Sequence, residues 1–81
     1  MRTFTLYRRN REAVAMAHES EAYSVPGDEP TCEGVVFTDG TVAVRWRTAF
    51  RSTVVWNSLD DFIAVHVSSH PQYGTEIVWS E

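Results

Sequence analysis

The sequence contains no lysine, a single cysteine and no long apolar run. With Cys32 alone, neither an intramolecular disulfide nor a zinc site built from several cysteines can form, although small extracellular domains commonly depend on such cross-links. No apolar stretch approaches the ~20 residues that a membrane-spanning helix needs, and the N-terminus lacks the apolar core of a signal peptide. We therefore expect a cytoplasmic chain with no membrane segment.

The length predicts one domain, because a chain of 81 residues cannot divide its core further. A hydrophobic content of 43% and an aromatic content of 12% are typical of a folded globular protein. We expect residues 1–81 to form a single small domain with one core.

Charge is unevenly distributed within a net charge of −4. Residues 18–40 contain six acids and no arginine, whereas residues 1–17 and 41–53 are both basic. If the two basic segments pair in one sheet, they would form a basic face that attracts an anionic partner. The alternative is that these arginines pair with acids of residues 28–33 or are only solvated.

Alternating side chains predict several strands. In residues 2–8, Phe4 and Leu6 face one way and their neighbours the other, which is the period of a half-buried strand. The pair Asp39–Gly40 lies between two β-rich runs and predicts a hairpin of about 34–38 with 41–47, closed by a type I′ turn. Residues 53–56 and 75–79 predict two further strands.

The second arm of this hairpin has two distinct faces. Val42, Val44 and Trp46 share one face and are expected in the core. Arg45 and Arg47 share the other face and are expected in solvent, which a one-sided antiparallel sheet requires without any ligand.

One helix is predicted at about 58–68, where apolar residues recur at helical spacing after Asn57 or Ser58 as cap and Asp60 and Asp61 in the first turn. Residues 10–18 are compatible with a helix or a strand. Residues 18–33 are expected to form an acidic surface connection with a Pro26–Gly27 turn. The predicted fold is α+β: about five mainly antiparallel strands with one helix on one face.

No residue pattern predicts catalysis or a bound cofactor. His66 and His70 have the spacing of a metal clamp, but Pro71 ends the helix and no third ligand is evident, so His66 is expected to edge the core. Cys32 lies beside Glu33, whose charge raises a thiol pKa. We expect no catalytic residue, no metal, no cofactor and a chain that is not an enzyme.

A tentative binding surface consists of solvent arginines and nearby aromatic residues: Arg45, Arg47, Arg51, Trp46 and Phe50. A nucleic-acid interface would use the same arginines, with Arg8 and Arg9 as further candidates. An excess of acids and a pI near 5.2 make nucleic acid the less favoured partner. Since Trp and Arg are enriched at protein interfaces, a protein partner is the first hypothesis.

Two stretches carry a family resemblance: GVVFTDGTVAVRWRTAFRSTVVWNSLDDFIAVH and the closing GTEIVW. They span about residues 34–79 and resemble small proteins of actinobacteria and their phages. The resemblance implies a small protein of the host cytoplasm that acts by binding a host protein, and it implies no activity and no catalytic residue. A homodimer is a further expectation, because an isolated five-stranded sheet leaves two unpaired edges.

Overall fold

The computed structural model describes residues 1–26 and 28–80. Its five strands are β1 (Arg2–Arg8), β2 (Cys32–Val36), β3 (Val42–Trp46), β4 (Thr53–Trp56) and β5 (Thr75–Ser80). Its two α-helices are α1 (Arg11–His18) and α2 (Leu59–Ile63). A π-helical turn, Ala64–Ser68, continues α2, and 3₁₀ turns lie at Glu21–Tyr23 and Pro71–Tyr73.

The strands form one antiparallel sheet in the order β4-β3-β2-β1-β5. In the register of this sheet, Leu6 lies opposite Cys32, which lies opposite Trp46, and Arg8 lies opposite Thr75. The C-terminal ends of β1 and β3 therefore lie at the same end of the sheet. The expected five-stranded α+β architecture is confirmed.

The arginines of the two basic segments do not meet in adjacent strands. Strand β2 separates β1 from β3 and places Glu33 opposite Arg45. Arg47 forms an ion pair of 3.3 Å with Glu33, so this arginine follows the expectation of pairing with the acidic connection. The continuous basic sheet face that the charge pattern allowed is absent from the described residues.

The expectation of a single helix was wrong, because residues 11–18, which the sequence left open, are helical. Asn10 caps α1 by accepting a hydrogen bond of 3.1 Å from the Ala13 amide. The predicted helix at about 58–68 is present but changes its winding at Ala64. Ser58 caps its first turn by accepting from the Asp61 amide at 3.1 Å.

The hairpin of β2 and β3 is confirmed, but its turn differs from the expected type. A type I′ turn requires a positive φ at both central residues. Only Gly40 has one, with φ of 92°, and the Gly40 amide donates to the Phe37 carbonyl at 3.0 Å. The Phe37 amide donates to the Thr41 carbonyl at 2.8 Å, so the connection has three residues, 38–40, instead of two.

The core lies between one face of the sheet and α2 with its π-helical turn. The fully buried apolar side chains include Phe4 and Leu6 of β1, Val42 and Val44 of β3, and Phe62 of α2. Strand alternation thus predicted the buried face of β1 and β3 correctly. Trp46, Trp56 and Trp79 are partly buried around this core.

Gly27 of the expected Pro26–Gly27 turn lies outside the described residues. Among the residues that the structure describes, no helix has the length and apolar character that crossing a bilayer demands.

Candidate functional site

A cavity of about 280 Å³ opens at the end of the sheet where β1 and β3 finish. Its volume lies just under the ~300–1,000 Å³ of small-molecule pockets, so it suits a small ligand. The lining combines all three histidines of the chain with one arginine, two hydroxyl side chains and four aromatic rings: Arg8, His18, Tyr23, Trp46, Thr48, Phe50, Ser52, His66, His70 and Tyr73.

Arg8 is the buried cation of this cavity. It continues the inward face of Phe4 and Leu6 on β1, and it is only 7% exposed. Its Nη2 donates to the carbonyl of His66 at 3.1 Å, while its buried Nε has no hydrogen-bond partner. No carboxylate among residues 1–26 and 28–80 forms an ion pair with Arg8.

Two aromatic rings hold the Arg8 guanidinium in place. Its Cζ lies 4.7 Å from the ring centroid of Tyr73 and 5.4 Å from that of Trp46, within the range of cation–π contacts. Burial lowers the pKa of Arg8 below its ordinary value. Since an arginine stays protonated in proteins, the cavity contains a fixed and poorly hydrated positive charge.

His66 lies on the π-helical turn and faces three aromatic side chains. Its ring centroid is 4.9 Å from Trp46, 5.4 Å from Trp56 and 5.5 Å from Phe62. Burial lowers the pKa of His66, and electrostatic interactions with Arg8 and with His70 lower it further. We therefore assign a neutral imidazole to His66 at pH 7, which can accept or donate a hydrogen bond.

Two stacked pairs of rings form a further part of the lining. His70 stacks on Tyr73 at 4.7 Å, and His18 stacks on Tyr23 at 4.8 Å. The Nδ1 of His18 lies 2.9 Å from the carbonyl of Val14, so this nitrogen carries a proton and donates. Helix α1 and the 3₁₀ turns thus contribute side chains to the same cavity as the sheet.

The outer rim of the cavity is aromatic and exposed. Phe50 is 67% exposed and Tyr23 is 40% exposed, and their ring centroids are 5.8 Å apart. The Ala49 amide donates to the Ala22 carbonyl at 3.0 Å, which joins the loop between β3 and β4 to the 3₁₀ turn. The two ring planes are tilted by 42° to each other, so a planar group can stack on one of them at a time.

The structure separates the residues of the predicted binding surface. Trp46 and Phe50 line the cavity, whereas Arg45 lies on the open face of the sheet, where its Nη1 donates to Thr53 Oγ1 at 3.1 Å. Arg47 is paired with Glu33, and Arg51 is exposed next to Phe50 in the loop. The five residues therefore do not form one surface.

Cys32 is fully buried on the core face of β2. Burial raises the pKa of its thiol to about 12; Arg8 acts against this shift, and Glu33 adds to it as the sequence predicted. A thiol with this pKa is protonated at pH 7 and is a poor nucleophile.

The histidines do not form a recognisable metal centre. In the described part of the chain, no group of three or more His, Cys, Asp or Glu side chains is arranged to hold a metal ion. The cavity is therefore better described by its cation, its rings and its neutral imidazole than by a metal.

Sequence reasoning missed Arg8, His18 and Tyr73 as members of one site. A signal for Arg8 was present, because it follows Phe4 and Leu6 at the spacing of the buried strand face. His18 and Tyr73 belong to segments far apart in sequence, and no local pattern predicts that they meet.

Comparison with known proteins gives one relationship. No curated protein matches the chain, and no solved structure matches it. A family model described as Acb5 phage protein matches residues 25–81, which is more than half of the chain and includes β2 to β5. The match confirms the phage part of the resemblance stated above. The chain belongs to the Acb5 phage protein family.

Proposed function

We propose that this phage protein binds a small anionic ligand that carries a flat ring, the class to which nucleotides belong, in the Arg8 cavity. The observation that carries the proposal is the buried Arg8 guanidinium, which has no carboxylate partner among the described residues. A buried charge without a partner is costly, and a bound anion would supply the missing counter-charge.

The other walls support the same ligand class. The buried Nε of Arg8 has no partner, so a phosphate or carboxylate oxygen can accept a charge-assisted hydrogen bond there. Thr48 and Ser52 add hydroxyl groups to the lining. Phe50, the more exposed ring of the rim, can stack on a planar ring while the anionic group lies at Arg8.

Direct binding measurements test this proposal. We would titrate the protein with inorganic phosphate, adenosine and adenosine monophosphate by calorimetry. The nucleotide should bind more tightly than either part, and Arg8→Gln should weaken it at least tenfold, since a hydrogen bond to a charged group contributes about 1.5–3 kcal/mol. Arg45→Gln, on the open face, is the matched control. Equal nucleotide affinity in both variants would refute the proposal.

Whether the bound ligand is also changed chemically is tested in the same samples. The sequence predicts a chain that is not an enzyme, and we propose binding without turnover. The alternative is acid–base chemistry by His66 and His70, which both line the cavity. Chromatography of the nucleotide after long incubation distinguishes the two: a product formed by wild type but not by His66→Gln establishes an enzyme.

A second candidate function, binding of a host protein, is favoured by the edge strand β4. This strand has no charged residue, and its Val54 and Val55 are 37% and 69% exposed. Such an edge can pair with a strand of a partner protein or of a second copy. A pull-down from host lysate compares wild type with Val55→Lys and with the triple variant Arg45→Ala, Arg47→Ala, Arg51→Ala; unchanged partners in both variants would exclude these surfaces.

A further inference from the structure

We infer that the hydroxyl of Tyr73 is a second binding group for the anion in the Arg8 cavity. The anionic group of the ligand then has at least two free oxygens, one for Arg8 and one for Tyr73. This role depends on the proposed function, because it requires an anion at Arg8. It adds a named residue to the site and assigns that residue to the anionic group of the ligand instead of its flat ring.

Tyr73 lies deep in the wall of the cavity, at the end of the 3₁₀ turn Pro71–Tyr73. The residue is only 2% exposed. Its amide donates to the His70 carbonyl at 3.1 Å, and its carbonyl accepts from the Asn10 amide at 3.0 Å, which joins the turn to the start of α1. The backbone therefore holds this side chain in a defined place, as a binding residue requires.

The ring of Tyr73 contacts three basic side chains of the cavity. Its centroid is 4.7 Å from Arg8 Cζ and 4.7 Å from the ring centroid of His70, which stacks on it at an angle of 16°. The ring centroid of His18 is 6.3 Å away. These contacts fix the direction of the ring and place its hydroxyl close to the permanent positive charge of Arg8.

The hydroxyl of Tyr73 has no protein partner but is open to the cavity. It forms no hydrogen bond with the residues that the structure describes, although a buried tyrosine usually finds a partner for this group. In the same part of the chain, the enclosed polar atoms that lack a partner are Arg8 Nε, Trp56 Nε1 and Thr75 Oγ1, so the Tyr73 oxygen is not enclosed. Since the residue is otherwise buried and lines the cavity, its hydroxyl opens into the cavity.

The charges around this hydroxyl favour an anionic acceptor. A phenol both donates and accepts hydrogen bonds, and a hydroxyl dipole turns in the field of nearby charges. The positive charge of Arg8 attracts the phenol oxygen and directs its hydrogen away from the guanidinium. No carboxylate is part of the cavity lining. An oxyanion bound at Arg8 supplies the missing acceptor through a charge-assisted hydrogen bond, which is stronger than a neutral one.

The experiment removes this hydroxyl alone. Tyr73→Phe keeps the ring that contacts Arg8. Tyr7→Phe is the matched control, because Tyr7 also has an arginine over its ring, Arg9 at 4.2 Å, but lies on the opposite face of β1. The Tyr73 hydroxyl has no hydrogen-bond partner among the described residues, so its removal should leave thermal unfolding unchanged. Circular dichroism verifies that both variants are folded.

The probes are inorganic phosphate, adenosine and adenosine monophosphate, each followed by NMR titration, which measures weak as well as tight binding. Tyr73→Phe should weaken phosphate and the nucleotide by the same factor, at least about fivefold, because it removes a hydrogen bond to a charged group. Its affinity for adenosine should equal that of wild type. Tyr7→Phe should bind all three probes as wild type does.

Two outcomes would overturn this role of Tyr73: unchanged phosphate affinity in Tyr73→Phe, or an equal loss in Tyr7→Phe. A loss of adenosine affinity as large as the loss of phosphate affinity would place the hydroxyl elsewhere in the site, which also contradicts its role at the anion. Failure of wild type to bind the nucleotide at all would instead overturn the proposed function. The two failures are therefore separable.

Discussion

Replacing Gly34 with alanine should destabilise the fold through a single steric contact. Gly34 of β2 lies opposite Phe4 of β1, whose ring lies over the glycine. A Cβ atom at position 34 would lie 2.2 Å from Cζ and 2.4 Å from Cε1 of Phe4, far inside van der Waals contact. The ring cannot move freely, because its centroid is 5.2 Å from Trp79 and 6.0 Å from Phe62.

The magnitude follows from two opposing effects. Overpacking a core costs typically about 1–3 kcal/mol, whereas the smaller conformational freedom of an unfolded chain with alanine returns roughly 0.4–1 kcal/mol. We expect Gly34→Ala to lower the free energy of unfolding by about 1–2 kcal/mol, a decrease of about 5–15 °C in Tm for a domain of this size.

Urea denaturation of a double-mutant cycle is the assay. Leucine at position 4 removes the ring, so Gly34→Ala should cost at least about 1 kcal/mol less in the Phe4→Leu background than in wild type. The slope of the unfolding free energy against urea should not change. A neutral Gly34→Ala, or the same cost in both backgrounds, would show that Phe4 does not lie over this glycine.

Three other predictions concern ionisable groups. Arg8→Met should raise the free energy of unfolding by about 1 kcal/mol. Burying the charge of Arg8 costs several kcal/mol, which is more than its one hydrogen bond and two cation–π contacts contribute. A Tm of Arg8→Met below that of Arg45→Met would contradict this sign. The pKa of His66 is lowered from its ordinary 6.5, so the unfolded chain binds more protons and the stability that His66 contributes is lost as pH falls from 6.5 through the lower folded value. Thermal unfolding at pH 7 and pH 5 should show this loss in wild type and a smaller loss in His66→Gln. With a thiol pKa of about 12, Cys32 should react with iodoacetamide at pH 8 at least about a hundredfold more slowly in the native than in the denatured protein; comparable rates would contradict its burial.

The sheet was largely predictable from the sequence, since one buried face imposes a period of two on each strand. Residues 2–8 and 53–56 were predicted with the bounds that the structure has, and the core face of β3 followed from Val42 and Val44. Helix α1 was not resolved by the same reasoning. Its apolar residues are contiguous and only Val14 is fully buried, so helical periodicity is weak there.

The cavity was not predictable from the sequence, because its side chains meet only through tertiary packing. From the sequence, Arg8 was only a further candidate for a nucleic-acid interface, although its position on β1 faces the core. The turn type was also missed, since the pair Asp39–Gly40 fits both a two-residue and a three-residue hairpin connection. The structure has the three-residue connection, in which the amide and the hydroxyl of Thr41 both donate to Asp39 Oδ1, at 3.0 Å and 2.7 Å.

The π-helical turn Ala64–Ser68 has a consequence for how this protein can vary. Arg8 donates to the carbonyl of His66 within that turn, and His70 follows two residues after it. A π turn accommodates one extra residue within a single turn, so deleting that residue would restore ordinary α-helical winding and leave the later side chains in nearly the same direction. The carbonyls inside the turn would instead be taken up by regular hydrogen bonds to amides four residues later. A shorter homologue with a perfectly wound helix should therefore keep the sheet and lose the anchor of its buried cation.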